Sequence, residues 1–553
     1  MHALLAGLLA VPSFLPAVAA WTVGETVKTT SGTLKGQPSA WQPTVSEYLG
    51  VPFAQPPVGP LRSCPANTPS FDNAPKVDTA PGVILSSLGQ RGVTYDEDCL
   101  TLNVWTQPQT GEKAKAVLVW IYGGGFALGA TEVASYNGAR LAAEQDVIVV
   151  SMNYRLNILG FPGSPHVSDQ NLGLLDQRLA IEWIRDNIAA FGGDPKRITL
   201  FGESAGGASV DMYAYAWTAD PIVNAFIAQS GTSSMGGMLG GAGNSTQRWY
   251  TLAAKLGCTD AATSTACMKG KPWRTVMEAI RPTGAAANFG GMGDYGPIPD
   301  GRVVMNDYGA RSAAGKFIKR PLLVGNNANE VALFLYIANQ KANLANPLLK
   351  LASAGFSCPS GDAAAARMAQ GVKAWRYLYA GEYPNQALAP GGGAWHGSEI
   401  GQVFGSTEFQ QKFYQSKANV SAASFIPDTP AQQKIIKTMM SAWAGFAKDP
   451  ENALAKAGWP MYDAAKASVV QLGGSNVGDV KFVSPRGLDI GCSLMSSFTN
   501  AGAAGGSGGL SSLAALLGTS GAQLPKGAAA PKPKAATPAA PKGMVKRAVR
   551  FEV

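Results

Sequence analysis

Ile198-Thr-Leu-Phe-Gly-Glu-Ser-Ala-Gly-Gly207 places a short apolar run directly before Gly202-Glu-Ser204-Ala-Gly206, a match to G-x-S-x-G, and a helix-compatible Ala-Ser-Val-Asp-Met-Tyr segment follows. Strand, sharp turn and helix in that order form the setting in which this pentapeptide presents a nucleophile. The flanking glycines permit a tight, strained turn that exposes the serine Oγ. Gly505-Gly-Ser507-Gly-Gly509 also matches the pattern. It sits in low-complexity sequence, without strand or helix beside it, and is read as a chance match. Ser204 is therefore the candidate nucleophile.

Working outward, Val117-Leu-Val-Trp-Ile-Tyr122, Val147-Ile-Val-Val-Ser151, Ile198–Phe201 and Pro321-Leu-Leu-Val324 have no alternating polar face. Strands buried on both sides in a parallel sheet read this way. Between two of them, Gln177–Phe191 spaces apolar residues mostly three and four apart and runs into Gly192-Gly193. That predicts an amphipathic helix with a glycine stop. Strands alternating with helices from Trp21 to about Leu494 predict an α/β domain around a central, largely parallel sheet.

A serine nucleophile needs a base, and the chain has only three histidines. His2 lies in the apolar leader, and His166 precedes Ser204 in a segment read as a surface loop. His396, in Gly392-Gly-Ala-Trp-His-Gly-Ser-Glu-Ile400, follows the nucleophile, and the chain order serine, acid, histidine selects it. The acid belongs after a strand between the two. Pro321-Leu-Leu-Val-Gly-Asn-Asn-Ala-Asn-Glu330 supplies a strand, a short loop and an acid. Glu330 would fix the imidazole tautomer and stabilise the imidazolium. Asp294 and Asp300 compete for the role, although neither follows such a strand. Tyr122-Gly-Gly-Gly-Phe126 trails another buried strand. The backbone N–H groups of Gly124 and Gly125, with that of Ala205 after the nucleophile, are the expected donors to an oxyanion. A phosphate loop would continue with Lys-Ser/Thr, whereas this one continues Phe-Ala-Leu.

The 553 residues suggest three or four domains at about 150 residues each, a rule that large α/β enzymes often break. Net charge is +9. From Lys526 onward seven basic residues (Lys526, Lys532, Lys534, Lys542, Lys546, Arg547, Arg550) face one acid, Glu552, leaving only +3 for everything before. A body so near neutral excludes a nucleic-acid binder, and so few histidines argue against a His-rich metal site. Residues 1–20 are apolar and end in small residues, as a secretory signal does. An exported chain with six cysteines implies disulfides. Fifteen pairings are open, and Cys258 and Cys267 bound a short loop. Asn244 and Asn419 head glycosylation sequons. Residues 496–553, rich in Gly, Ala, Pro and Lys, read as a disordered basic tail. The tail is read as a solvated extension, with attachment to anionic polymers or trimming at Lys546-Arg547 as alternatives.

Several longer motifs carry a resemblance: Tyr48-Leu-Gly-Val-Pro-Phe-Ala-Gln-Pro-Pro-Val-Gly-Pro-Leu-Arg62, Glu97-Asp-Cys-Leu-Thr-Leu-Asn-Val-Trp105, Trp120–Phe126, Asn153-Tyr-Arg-Leu156, Phe191–Gly207 and Gln229-Ser-Gly231. In this order they resemble the type-B carboxylesterase/lipase family, which includes cholinesterases and secreted fungal lipases. The resemblance implies an α/β-hydrolase fold with a large, mostly parallel central sheet covered by helices on both faces. It implies that Glu330, in Gly-Asn-Asn-x-x-Glu, is the catalytic acid and that His396 fits the family's His-Gly-x-Glu-Ile element. It also implies disulfides Cys64–Cys99 and Cys258–Cys267, leaving Cys358–Cys492 by elimination, and places Ser230 near Glu330. Cholinesterases carry a tryptophan in the first disulfide loop to hold choline; the 34 residues between Cys64 and Cys99 contain none, so choline esters are not expected. In fungal lipases the same loop is a mobile lid. Val83, Ile84, Leu85 and Leu88 could form its apolar face or pack onto the body.

The expectation is a secreted serine carboxylic-ester hydrolase with residues 21–495 as catalytic domain, acting on a small-molecule or lipid ester without metal or organic cofactor. The alternatives are a triacylglycerol lipase that contacts a lipid interface through that lid and, more remotely, a non-catalytic adhesion or binding homologue. Retention of Ser204, Glu330, His396 and the glycines disfavours the last. Acyl and alcohol preference and oligomeric state are not readable from the chain.

Overall fold

The computed structural model describes residues 22–492 except 55–62, 70–75, 109–113, 236–244, 283–291, 293, 340–343, 345–350 and 422–423. The leader, the basic tail and Asn244 lie outside the described residues. Asn419 is exposed in the turn after the helix Thr407–Lys417.

A small hairpin, β1 (Thr26–Thr29) and β2 (Gly32–Lys35), precedes an eleven-stranded sheet. The sheet comprises β3 (Gln37–Pro38), β4 (Ser46–Pro52), β5 (Thr101–Thr106), β6 (Lys115–Ile121), β7 (Ile148–Met152), β8 (Gly193–Glu203), β9 (Ala225–Gln229), β10 (Leu322–Asn327), β11 (Ala374–Tyr379), β12 (Val469–Leu472) and β13 (Val480–Val483). Their spatial order is β13-β12-β11-β10-β9-β8-β6-β7-β5-β4-β3. From β7 through β12 every pairing is parallel; β5, β4 and β3 on one edge and β13 on the other join antiparallel. Every residue of β6, β7 and β10 is buried, because helices cover both faces and leave no polar side for water. The mixed, mostly parallel sheet is the α/β-hydrolase architecture the resemblance implies. Trp120 shows the packing: its ring lies 4.8 Å from Phe201 and 5.1 Å from Phe404.

The chain order reverses at β6. From β6 the chain crosses to β7 on one side, then returns to lay β8 on the other. Connections leaving a strand in opposite directions open a crevice at its carboxyl end, where α/β sheets bind ligands. The glycines after β6 and Ser204 after β8 lie at that point.

The amphipathic helix spans Leu172–Asn187, starting five residues before the periodic stretch that predicts it, and closes with a 3₁₀ turn, Ile188–Phe191. Gly192 ends it at φ 84°, as the glycine stop requires. Its start is tied by the Asn153-Tyr-Arg-Leu motif, whose Arg155 makes a bidentate pair with Asp176 at 2.8 and 2.7 Å. All three disulfides form: Cys64–Cys99, Cys258–Cys267 and Cys358–Cys492. Among the described residues no helix is long and apolar enough to cross a membrane.

A buried ion pair locks the helix Ala205–Ala216, which follows Ser204, to the helix Ala354–Ala369. Arg367 donates to Asp211 Oδ1 at 2.6 Å and to Tyr215 Oη at 2.9 Å. Asp211 Oδ2 accepts from the backbone and hydroxyl of Ser233 at 2.9 and 2.6 Å. Both charged side chains are nearly inaccessible, 2% and 3% exposed. Removing one charge of such a pair strands the other. Asp211→Asn should therefore cost about 3 kcal/mol, read as a lowered thermal unfolding midpoint; an unchanged midpoint would show that the pair contributes nothing.

Candidate active site

Ser204 sits between strand and helix at φ 57°, ψ −122°, a conformation unfavourable for a side-chain-bearing residue. Local packing holds it there. Its N–H donates to Gln229 O on the neighbouring strand at 2.8 Å. A Cβ on Gly206 would lie 2.0 Å from Ile121 O, so the helix can begin this close to β6 only with glycine at that position. Gly123 lies equally close to the turn, since a Cβ there would approach Ser204 Cβ to 2.8 Å. Gly124 and Gly125 follow at φ 104° and 61°, and both line the cavity beside Ser204. Among the described residues no acceptor is recorded for the N–H groups of Gly124, Gly125 or Ala205.

The loop after β10 presents Glu330, fully buried. Its Oε1 accepts from Ser230 Oγ at 2.7 Å and from Asn327 N at 2.6 Å, and its Oε2 meets His396 Nδ1 at 2.6 Å. Ser230 thus takes the position beside Glu330 that the resemblance implies. Neither Asp294 nor Asp300 is a partner of His396; Asp300 instead accepts from Arg302, Val303 and Val304 N–H groups in its own turn. His166 is exposed, paired with Tyr250 at 3.2 Å. The His396 loop is stitched to the β10 loop: Asn327 Nδ2 donates to Trp395 O at 2.7 Å, and Asn329 N donates to Ala394 O at 2.9 Å. Phe334 and Phe356 place their rings 5.2 and 4.9 Å from the imidazole and keep it dry.

Glu203 and Glu399 bring further carboxyls, which the sequence reading left without roles. Glu203 Oε1 lies 3.2 Å from His396 Nε2, close enough for ion pairing but not aligned as a hydrogen bond. Glu399 accepts from Gln229 Nε2 at 3.0 Å and Asn327 Nδ2 at 2.5 Å. Three buried carboxyls therefore surround one histidine. Burial raises the Glu203 carboxyl, with Glu399 and Glu330 adding repulsion and His396 opposing, to about 8. Burial also raises Glu399. For His396 burial works downward, but Glu203 and Glu330 outweigh it and lift the imidazole to about 9. The cluster holds protons more tightly than its isolated groups would. Glu203 was visible in the motif as the residue before the serine; only the fold reveals its approach to Nε2.

Ser204, Glu203 and His396 line a cavity of about 120 Å³. Leu333, Phe334, Ile337, Phe356 and Met292 give it an apolar wall. Trp395 lines it too, a tryptophan supplied from beside His396 and not from the first disulfide loop. The helix Ala80–Leu88 contributes Ile84 and Leu88. Its Val83 packs with Val77, Ala134 and Tyr414, and Leu85 joins the main core. Of the two arrangements open to this apolar face, the structure has it packed onto the body. Among the described residues no His/Cys/Asp/Glu group could hold a metal.

The sequence pattern of the carboxylesterase family matches residues 24–355. The chain is 33% identical to Secreted lipase 5 of Gibberella zeae over 509 residues, 82% of this chain and 91% of that protein. It is 31% identical to the Chlorogenic acid esterase of Aspergillus niger over 449 residues, 77% and 83% of the two chains. Cholinesterase of Mus musculus is 38% identical over 313 residues, 53% of this chain and 51% of its own. A family pattern matching residues 24–355, together with relatives that cover most of its length, establishes that this chain belongs to the carboxylesterase family, the type-B carboxylesterases and lipases.

Proposed function

We propose that this ester hydrolase is a secreted carboxylesterase working through an acyl-enzyme on Ser204, Glu330 and His396. The observation that carries the reading is the His396 Nδ1–Glu330 hydrogen bond of 2.6 Å on the cavity where Ser204 stands at its strained turn. With Nδ1–H committed to Glu330, the lone pair of His396 lies on Nε2. Nε2 takes the Ser204 proton as Oγ attacks the carbonyl carbon. The N–H groups of Gly124, Gly125 and Ala205 hold the developing oxyanion. Collapse expels the alcohol, which receives the proton from Nε2, and water then repeats the sequence to release the acid.

Export fits three disulfides in one chain and a relative named as a secreted lipase. Accordingly we take residues 1–20 as the signal, 21–495 as the catalytic domain and 496–553 as a solvated tail, with Asn244 and Asn419 as glycosylation sites. The second reading is a lipase on insoluble triacylglycerol, favoured by that relative and by the apolar helix Ala80–Leu88 on the cavity wall. Because that helix is seated on the body through Val83 and Leu85, we favour a fixed wall over a mobile lid.

Three measurements check these statements. Ser204→Ala should lower hydrolysis of p-nitrophenyl esters by about 10⁴-fold or more; wild-type rates in that variant would sink the assignment. Rate against tributyrin concentration should saturate smoothly across the solubility limit, whereas a jump at the emulsion would favour the lipase. The third concerns pH. The base works only as neutral imidazole, so the raised His396 value places the acid limb of kcat/KM above an ordinary histidine's. Glu203→Gln removes a negative charge that holds the proton on Nε2, and the limb should move to lower pH by on the order of one unit. An unmoved or higher limb would contradict the Glu203 contact.

A further inference from the structure

We infer that the cavity selects esters carrying, besides the scissile group, a neutral oxygen acceptor bound by the amide N–H of Gln90, with Gln386 beside it. The inference rests on the esterase reading and adds to it a class of substrate. Gln90 follows the helix Ala80–Leu88 inside the Cys64–Cys99 loop, at φ 50°, where a residue with a side chain is disfavoured. Its backbone is pinned on both sides: N–H to Ser87 O at 3.0 Å and C=O from Val93 N–H at 3.1 Å. The side chain lines the cavity and is only 3% exposed.

The orientation of its amide follows from its neighbour. Tyr95 Oη donates to Gln90 Oε1. Burial raises the Tyr95 phenol further above its ordinary value, so it remains an O–H donor at any working pH. As placed, Oε1 is the end that meets Tyr95, which leaves Nε2 as the free end of the amide. Nε2 is buried without a partner among the described residues, which is costly unless a ligand completes it. Gln386 is oriented in a similar way. Its Oε1 accepts from Gln402 Nε2 at 2.7 Å, no acceptor for its own Nε2 is recorded among the described residues, and it lines the same cavity. Its short 3₁₀ turn, Pro384–Gln386, packs against the helix Ala80–Leu88.

The charge of the partner is also constrained. Among the described lining residues no lysine or arginine is present, and Glu203 and His396 are the only ionisable side chains apart from Tyr136. An anionic group would find no lysine or arginine here, and His396 is already paired with Glu330 and Glu203, so the acceptor is a hydroxyl, ether or carbonyl oxygen. The apolar remainder of the substrate lies on Leu333, Phe334 and Phe356. A site built around a hydrogen-bond donor discriminates against the analogue that lacks the acceptor far more strongly than an apolar site discriminates a methylene.

The test compares kcat/KM for alkyl esters with isosteres in which an ether oxygen replaces one methylene at successive positions, always separated from the ester group by at least two carbons so that the ester keeps its own reactivity. One arm varies the acyl chain of p-nitrophenyl hexanoate and the other the alcohol of pentyl hexanoate, so the arms report which half of the substrate meets the glutamines. In a purely apolar cavity every ether isostere would be slower. We expect one position in one arm to be preferred by roughly tenfold or more. Gln90→Glu keeps an acceptor for Tyr95 but removes the donor, and should bring that ratio to one or below. Gln386→Glu is the second variant, and carries the test if thermal unfolding shows that Gln90→Glu does not fold. Slower turnover of every ether isostere by wild type, or a preference that persists in folded variants, overturns the inference. Ser204→Ala is the control for the reading beneath it: parent esters hydrolysed at wild-type rate by that variant would fault the esterase mechanism and not the glutamines.

Discussion

The strained turn at Ser204 is the constraint on which the rest of the site depends. A residue at φ 57° survives only if its surroundings over-determine it, and here two strands and a following glycine do so. β9 accepts its N–H through Gln229, β6 presses on Gly206, and Gly231 lies so close that a Cβ there would sit 2.0 Å from Ser204 O. Neither glycine tolerates a larger residue. The turn is thus fixed by backbone packing of the sheet, and side chains remain free to do chemistry around it. Fixing Ser204 this way also forces Glu203 inward, because the residue before a sharp turn at a buried strand end has no route to water.

Burying that carboxyl beside Glu330 and Glu399 would be prohibitive if all three were simple anions. Each has a different answer. Glu330 is satisfied by Ser230, Asn327 and His396. Glu399 lies between two side-chain amides, Gln229 and Asn327. Glu203 has no hydrogen bond to Oε1; burial raises its carboxyl to about 8, and when it ionises its charge is met by His396 Nε2 3.2 Å away. The site thereby sets one carboxyl, Glu330, against Nδ1 of the histidine and a second, Glu203, near Nε2.

Much of this was legible in the chain because its signals were local. The strand–turn–helix around Gly202–Gly206, the buried runs of β6, β7 and β10, and the scarcity of histidine all bear directly on the residues they concern. Glu330 stood out among three acids because it followed a strand, and the resemblance to the family narrowed the choice. β9 and β11 were harder. Ala225-Phe-Ile-Ala-Gln229 is short, and Ala374-Trp-Arg-Tyr-Leu-Tyr379 contains a buried arginine that pairs with Asp489, 113 residues later. Glu399 and the glutamines of the cavity wall were illegible for a related reason. Their meaning lies in partners from Asn327, Tyr95 and Gln402, brought together by the sheet and not by spacing.

The central claim is that Ser204 Oγ becomes covalently bonded during turnover because His396 and Glu330 activate it. Its most direct test is to treat the enzyme with a p-nitrophenyl alkylphosphonate, digest it and locate the adduct by mass spectrometry while following residual activity. The account predicts one phosphonyl group per chain, on the Ser204 peptide, in proportion to the activity lost, with labelling strongly slowed in His396→Ala. Full inactivation with Ser204 unmodified, or full activity with Ser204 modified, would contradict it.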